Sequence, residues 1–133
     1  MNADRPLTWS IRESLSDAEL QELFSVVYKR KNEVPFHIIL AHSLTWVSAR
    51  RDGQLVGFAN LIWDGLYHAL IVDRAARDDE SGELRHQIVV KVLELLKRNY
   101  PTVSKVHIEC AEEEIPQLQL FGFERRTYGR ILY

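Results

Sequence analysis

The residue types best suited to chemistry in this chain gather between Val72 and Arg98. Leu70, Ile71 and Val72 read as the end of a strand. Arg77-Asp78-Asp79-Glu80-Ser81-Gly82 reads as a polar loop, after which Leu84, Ile88, Val92, Leu95 and Leu96 recur at the spacing of one helical face. A strand that runs through a loop into a helix N-terminus aims several free backbone N–H groups at one place, which suits a phosphate. The loop and first turn here carry four carboxylates of their own, Asp78, Asp79, Glu80 and Glu83. At the positive end of a helix dipole they stabilise the helix start, and beside a bound anion they repel it.

Further candidates lie on the flanking strands. Glu109 could act as a base toward an ammonium, directly or through water, or be the solvent-facing alternate between Ile108 and Cys110. His68 could face a slot from its strand, or be a hydrogen-bonded sheet histidine. Trp46, Trp63 and Tyr67 could line an acceptor pocket, although aromatic residues on strands usually build core. Cys110 sits in an apolar run and reads as a buried, inert thiol. His37 and His42 lie five residues apart and do not share a helical face, so no metal site is expected.

The chain has 133 residues, enough to close one core and too few for two, so a single domain over 1–133 is expected. Its 17 basic residues are scattered among 19 acidic ones, for a formal charge of -2. A nucleic-acid surface needs a stripe of unopposed Lys and Arg, and only Lys29-Arg30-Lys31 and Arg50-Arg51 cluster, so no nucleic-acid partner is expected. The single cysteine excludes an internal disulfide. Met1 to Arg5 lack the apolar core of a signal peptide, and no apolar run approaches the ~20 residues that span a bilayer. The expectation is a cytoplasmic protein with no membrane contact.

Several elements must position these residues. Trp9 to Ile11 fits a short strand. Ser16 with Glu19 forms a capping box ahead of Leu20, Leu23, Phe24 and Val27, predicting a helix from Asp17 to about Lys29. Pro35 bars its continuation, and Phe36 to Leu44 fits a short second helix. Thr45–Arg51, Asp52-Gly53 and Gln54–Trp63 predict a hairpin, because Asp-Gly suits a two-residue turn with positive φ. A second Asp-Gly, Asp64-Gly65, leads into Leu66–Val72 and makes a three-stranded meander. After the helix, Val103–Cys110 reads as a strand. Pro116 opens a short helix carrying Ile115, Leu118 and Phe121, and Glu124–Leu132 reads as a last strand. The order predicts an α+β fold with a mixed sheet, in which Leu66–Val72 and Val103–Cys110 run parallel, side by side or splayed. A sheet edge at Glu124–Leu132 offers a route to a homodimer.

This order, with the residues on it, resembles the GNAT superfamily of N-acetyltransferases, in particular its small bacterial members. The likeness rests on Arg51-Asp52-Gly53-Gln54-Leu55-Val56-Gly57-Phe58, Trp63-Asp64-Gly65 and His68-Ala69-Leu70-Ile71-Val72-Asp73 in the meander. Leu120-Phe121-Gly122-Phe123 is a weaker echo of the family's Gly-Phe segment. It spans about Ser16 to Phe123. The resemblance implies transfer of an acetyl group from acetyl-CoA to an amine, borne by a small molecule or a protein. It implies that the backbone of Val72, Asp73 and Arg74 pairs with the pantetheine arm, with Asp73 helping to orient the loop. It also implies that the segment from Arg77 to Gly82 wraps the pyrophosphate, and that the two splayed strands hold the thioester.

Two positions depart from that family. Glu80 stands where a glycine normally lets backbone approach phosphate, and a like charge at ~4 Å costs on the order of 1 kcal/mol in water and ~4 kcal/mol at an effective dielectric of 20. Leu118 stands where the family often has the tyrosine that protonates the leaving thiolate, a loss of ~10²–10⁴-fold. Tyr128 or Tyr133 in the C-terminal run could reach the slot in its place. The alternative reading is therefore a GNAT-fold binding or regulatory module with weak or no CoA binding.

Overall fold

The computed structural model describes residues 5–31, 33–77 and 82–133. Asp78, Asp79, Glu80 and Ser81 lie outside the described residues. The elements are β1 (Thr8–Ile11), α1 (Asp17–Tyr28), α2 (Phe36–Ala41), β2 (Thr45–Arg51), β3 (Gln54–Trp63), β4 (His68–Ala76), α3 (Glu83–Asn99), β5 (Lys105–Ile108) and α4 (Ile115–Leu120). A 3₁₀ turn, Glu112–Glu114, precedes α4. The strands form one sheet in the order β1-β2-β3-β4-β5. The first four are antiparallel neighbours and β5 is parallel to β4, giving the mixed α+β fold the sequence predicts.

Local chemistry explains the boundaries. The N–H of Glu19 donates to the Ser16 hydroxyl, and the Glu19 carboxylate accepts from the Ser16 N–H, so the capping box forms in full. Asp52 and Gly53 have φ of 53° and 79°, the paired positive values that a twist-matched hairpin turn needs. At the next turn one Asp64 oxygen accepts from the N–H groups of Leu66, Tyr67 and His68. That carboxylate holds the chain in the turn, so β4 starts at His68 rather than Leu66.

The sheet is covered on both faces. Val47, Ala59, Leu61, Ala69 and Ile71 pack against Leu84, Ile88, Val92, Leu95 and Leu96 of α3. On the opposite face Trp46, Leu55, Phe58 and Ala75 pack against Leu20, Leu23 and Phe24 of α1 and Phe36 and Leu40 of α2. A Cβ on Gly57 would lie 2.8 Å from Ile88 Cδ1 and 3.3 Å from Ala49 Cβ, so this glycine sets how closely α3 approaches the sheet.

One expected strand is absent. Residues 124–133 form no strand and are exposed. Glu124, Arg125, Arg126 and Arg130 leave too few alternating apolar residues to bury a face, and these charges pair locally: Arg125 with Glu112, Arg126 with Glu124, Arg130 with Glu109. The outer edge of β5 therefore gains no partner from this run, and the sheet edge invoked for a homodimer does not form there.

Gly57→Ala should lower stability by about 1–3 kcal/mol, the usual range for overpacking a filled core. A urea midpoint equal to that of the unmodified protein would show that α3 can back away.

Candidate active site

The parallel pairing of β4 and β5 is short. It joins His68 to Lys105, Ala69 to Val106, Leu70 to His107 and Ile71 to Ile108, and then stops. β4 continues through Val72 to Ala76, still paired to β3, while the chain beyond Ile108 turns away into Glu112–Glu114. An opening is left beside Val72, Asp73 and Arg74. Opposite them on β3, Asn60 pairs with Val72 and Ala59 with Arg74, so Asp73 is the extra residue of a bulge. Its φ of 43° is unusual for a residue with a side chain, and bulges of this kind re-aim strand groups at sites.

The bulge is held from the α1 and α2 face. Asn60 is fully buried, and its amide donates to an Asp73 oxygen at 3.4 Å. The Asp73 carboxylate itself is exposed. Tyr28, the last residue of α1, reaches across and donates its hydroxyl to the Arg74 carbonyl. Burial pushes this phenol above its ordinary range against the pull of the Arg74 charge, and the nearby charges of Glu114 and Asp73 add to the rise.

Charged groups cross the opening on the α3 face. Arg74 Nη1 lies 2.9 Å from Glu114 Oε1 and its Nη2 donates to Oε2 at 3.0 Å. The Ala111 N–H donates to the same Oε2 at 3.0 Å, and Arg85 Nε of α3 lies 3.6 Å from Oε1. The side chains of Arg74 and Glu114 are only 10% and 6% exposed, the most enclosed ion pair among the described residues. Burial alone would raise the Glu114 carboxyl, but hydrogen bonds from Arg74 and Ala111 and the charges of Arg74 and Arg85 overcome it and hold it below the ordinary range. Cys110 is half-buried rather than buried as expected, and desolvation raises its thiol, with Glu114 adding to the rise and Arg74 opposing it.

The far wall of the opening is the start of α3. Gly82 caps it with φ of 70°, a conformation that favours glycine. The Arg85 guanidinium rests against it, 2.8 Å from where a Cβ would be. Glu83 in the first turn is exposed and accepts from Gln87.

The remaining expected site residues are dispersed. Glu109 follows β5 immediately at the mouth, exposed, hydrogen-bonded to Tyr128 and 3.8 Å from Arg130. His68 sits at the opposite end of β4, its Nδ1 at 2.7 Å from Asp64. Strand pairing therefore holds it about four residues, roughly 13 Å, from the opening. Tyr67 is also at that far end, where its carbonyl accepts from Ser104 and Lys105. Trp46 pairs across the sheet with Asn60 and is buried on the α1 face, its indole N–H donating to Glu13. Trp63 is three residues beyond Asn60, an odd step, so it faces α3 and packs edge-on against Tyr100. The three aromatics form no common pocket. Arg77 lines a small cleft beside Glu19 and Glu22 of α1. Among the described residues no group of three or more His, Cys, Asp or Glu converges as a metal site would need, and no helix is long and apolar enough to cross a membrane.

Two residues at the opening escape sequence reasoning. Neither Tyr28 nor Glu114 falls on a motif, a spacing or a resemblance in the sequence. The only available signals were a phenol at the end of α1 and an arginine beside Asp73 at the end of a mostly apolar strand.

The sign of the Glu114 shift makes a prediction. A carboxyl held low in the folded state stabilises it above the ordinary carboxylate range and loses that contribution as pH falls through the folded value. Glu114→Gln should destabilise the protein at pH 7 by roughly 3–5 kcal/mol, the cost of stranding a buried partner. The gap in melting temperature between this variant and the unmodified protein should narrow as the solution is acidified below pH ~4. A gap independent of pH would contradict the assignment.

No protein-family model matches the sequence, and no curated protein matches it. Solved structures do match. A GNAT family acetyltransferase from Streptococcus pneumoniae TIGR4 superposes with a TM-score of 0.75 at 18% identity, covering 96% of this chain and 98% of that one. An aminoglycoside acetyltransferase from an uncultured soil metagenomic sample, solved with sisomicin, gives 0.69 at 14% identity over 96% and 95%. Glucosamine-6-phosphate N-acetyltransferase from Arabidopsis thaliana gives 0.67 at 12% identity over 95% and 98%. The chain has the fold of the GNAT acetyltransferases.

Proposed function

We infer that the protein is an N-acetyltransferase, moving an acetyl group from acetyl-CoA to a primary amine of a small molecule or protein. The observation that carries this is the opening itself. β4 leaves β5 after Ile71, bulges at Asp73 and leads toward the Gly82 cap of α3. The free length of β4 lies near the start of α3, since Arg74 and Arg85 share Glu114, and the fold is that of acetyltransferases. Fold alone would not carry the function, because one scaffold hosts many activities.

Acetyl-CoA supplies the acetyl group as an activated thioester. Val72, Asp73 and Arg74 offer backbone partners for its extended arm, and the N–H groups at the start of α3 suit its phosphates. The loop of Asp78, Asp79, Glu80 and Ser81 belongs to this reading but lies outside the described residues. On the acceptor side two carboxylates are near, Asp73 and Glu109. Either can hold an ammonium and take its proton, which frees the nitrogen lone pair to form the new C–N bond as the C–S bond breaks. The thiolate that leaves needs a proton. Leu118 is buried and has none to give, whereas the Tyr28 hydroxyl stands at Arg74 and stays protonated at neutral pH. Tyr28 is the proton donor in this reading, and its phenolate recovers a proton from the acylated nitrogen, which must lose its second hydrogen to become the neutral amide.

Asp73→Asn and Tyr28→Phe should each lower kcat by roughly 10²-fold or more, the usual span for one acid or base. If both variants acetylate amines at the unmodified rate, these roles are wrong.

One observation favours the second reading, a GNAT-fold binding module: the enclosed Arg74–Glu114 pair stands in the opening. Thermal shift with acetyl-CoA separates the two readings. An enzyme should gain stability at saturating ligand, by about 2.7 kcal/mol at a hundred times Kd. No rise in melting temperature at ~1 mM acetyl-CoA would sink the enzyme reading, because a ligand that binds the folded state must stabilise it.

A further inference from the structure

Three elements meet where the β4–β5 ladder ends, and each contributes one charged side chain to a single cluster. Arg74 comes from the free length of β4, Arg85 from the first turn of α3, and Glu114 from the turn between β5 and α4. Glu114 is 5% exposed; its Oε2 accepts from Arg74 and Ala111, and its Oε1 faces Arg74 Nη1 at 2.9 Å as an ion pair without a hydrogen bond. A buried ion pair is a poor way to add stability, since desolvation consumes most of the attraction. Here it sits where the sheet splits, between two guanidinium groups and beside a helix N-terminus. All of these are ligands for an anion.

We propose that the Arg74–Glu114–Arg85 cluster is a latch across the acetyl-CoA opening. The Glu114 carboxylate is an internal anion that holds the guanidinium groups an incoming phosphate-bearing thioester would meet. The arm of acetyl-CoA enters only as Glu114 leaves them. This rests on the acetyltransferase reading and adds how access to its slot is controlled.

The exchange is balanced in charge. Removing Glu114 alone strands Arg74, but replacing its carboxylate by a phosphate keeps the arginines paired. The cost that makes a broken buried pair so unfavourable is therefore avoided when the ligand is present. The element carrying Glu114 is also lightly anchored. α4 spans Ile115–Leu120, and Leu118 is its only buried residue. On the other flank the Tyr28 hydroxyl occupies the Arg74 carbonyl. Closure lowers the apparent affinity in proportion to the fraction of molecules that are open.

The test is calorimetric titration of acetyl-CoA into three full-length proteins: unmodified, Glu114→Ala, and the double variant Arg74→Ala with Glu114→Ala. The double variant strands no charge and keeps the test valid if the single variant fails to fold. Circular dichroism melting establishes which are folded. Glu114→Ala should bind about tenfold tighter or more, as expected when a largely closed state is opened. The double variant should also bind more tightly than the unmodified protein, by a smaller factor because it has lost one guanidinium. If the unmodified protein binds acetyl-CoA and the folded variants bind no more tightly, the latch is refuted and the acetyltransferase reading stands. If no folded form binds at ~1 mM, the acetyltransferase reading fails and takes the latch with it.

Discussion

The structure depends on where β4 and β5 stop pairing. A parallel pair satisfies backbone groups on both strands, and breaking it leaves N–H and C=O groups that need other partners. Here the ladder ends at Ile71 and Ile108 while β4 goes on to Ala76 against β3 alone. The groups around that break are those exposed by it or brought in to satisfy it. Tyr28 takes the Arg74 carbonyl, Glu114 takes the Ala111 N–H and Arg74, and Asn60 steadies the bulged Asp73. A sheet paired to its end would offer no slot and would have no use for these side chains.

The two cores make such a break tolerable. The α3 core and the α1 and α2 core pack on opposite faces of strands β2 to β4 and do not need β5 beyond Ile108. Gly57 draws α3 close to the sheet, which fixes the start of that helix relative to β4. β4 and the start of α3, both packed into the core, thus border the opening. The remaining side is the turn that carries Glu114 into the short α4, whose one buried residue is Leu118. Polar groups concentrated on the least anchored wall are what a slot that opens requires.

Much of the fold is legible in local sequence because local physics sets it. The Ser16–Glu19 capping box, the Asp52-Gly53 turn and the apolar period of α3 each commit a segment within a few residues. The strand-helix-strand order then forces β4 and β5 to be parallel. The site is less legible because its contacts are distant in sequence. Tyr28 meets Arg74 across 46 positions and Arg74 meets Glu114 across 40, and no periodicity links them. Face alternation also defeats a reading by residue type: Trp46 and Trp63 look alike in sequence yet lie on opposite faces of the sheet. The expected strand at Glu124–Leu132 failed for a related reason, since its charges find partners along the nearby chain more readily than a sheet can bury them. The Glu80 conflict lies outside the described residues, and within them the conflict over an anion has moved to Glu114.

The central claim is that the free length of β4 and the start of α3 receive acetyl-CoA. Backbone amide chemical shifts, followed by NMR as acetyl-CoA is added, test it directly. The account predicts that the largest changes fall on Val72, Asp73, Arg74 and Gly82, with Ala111 following as Glu114 releases it. Saturating changes confined to other surfaces, with these amides unmoved, would contradict it.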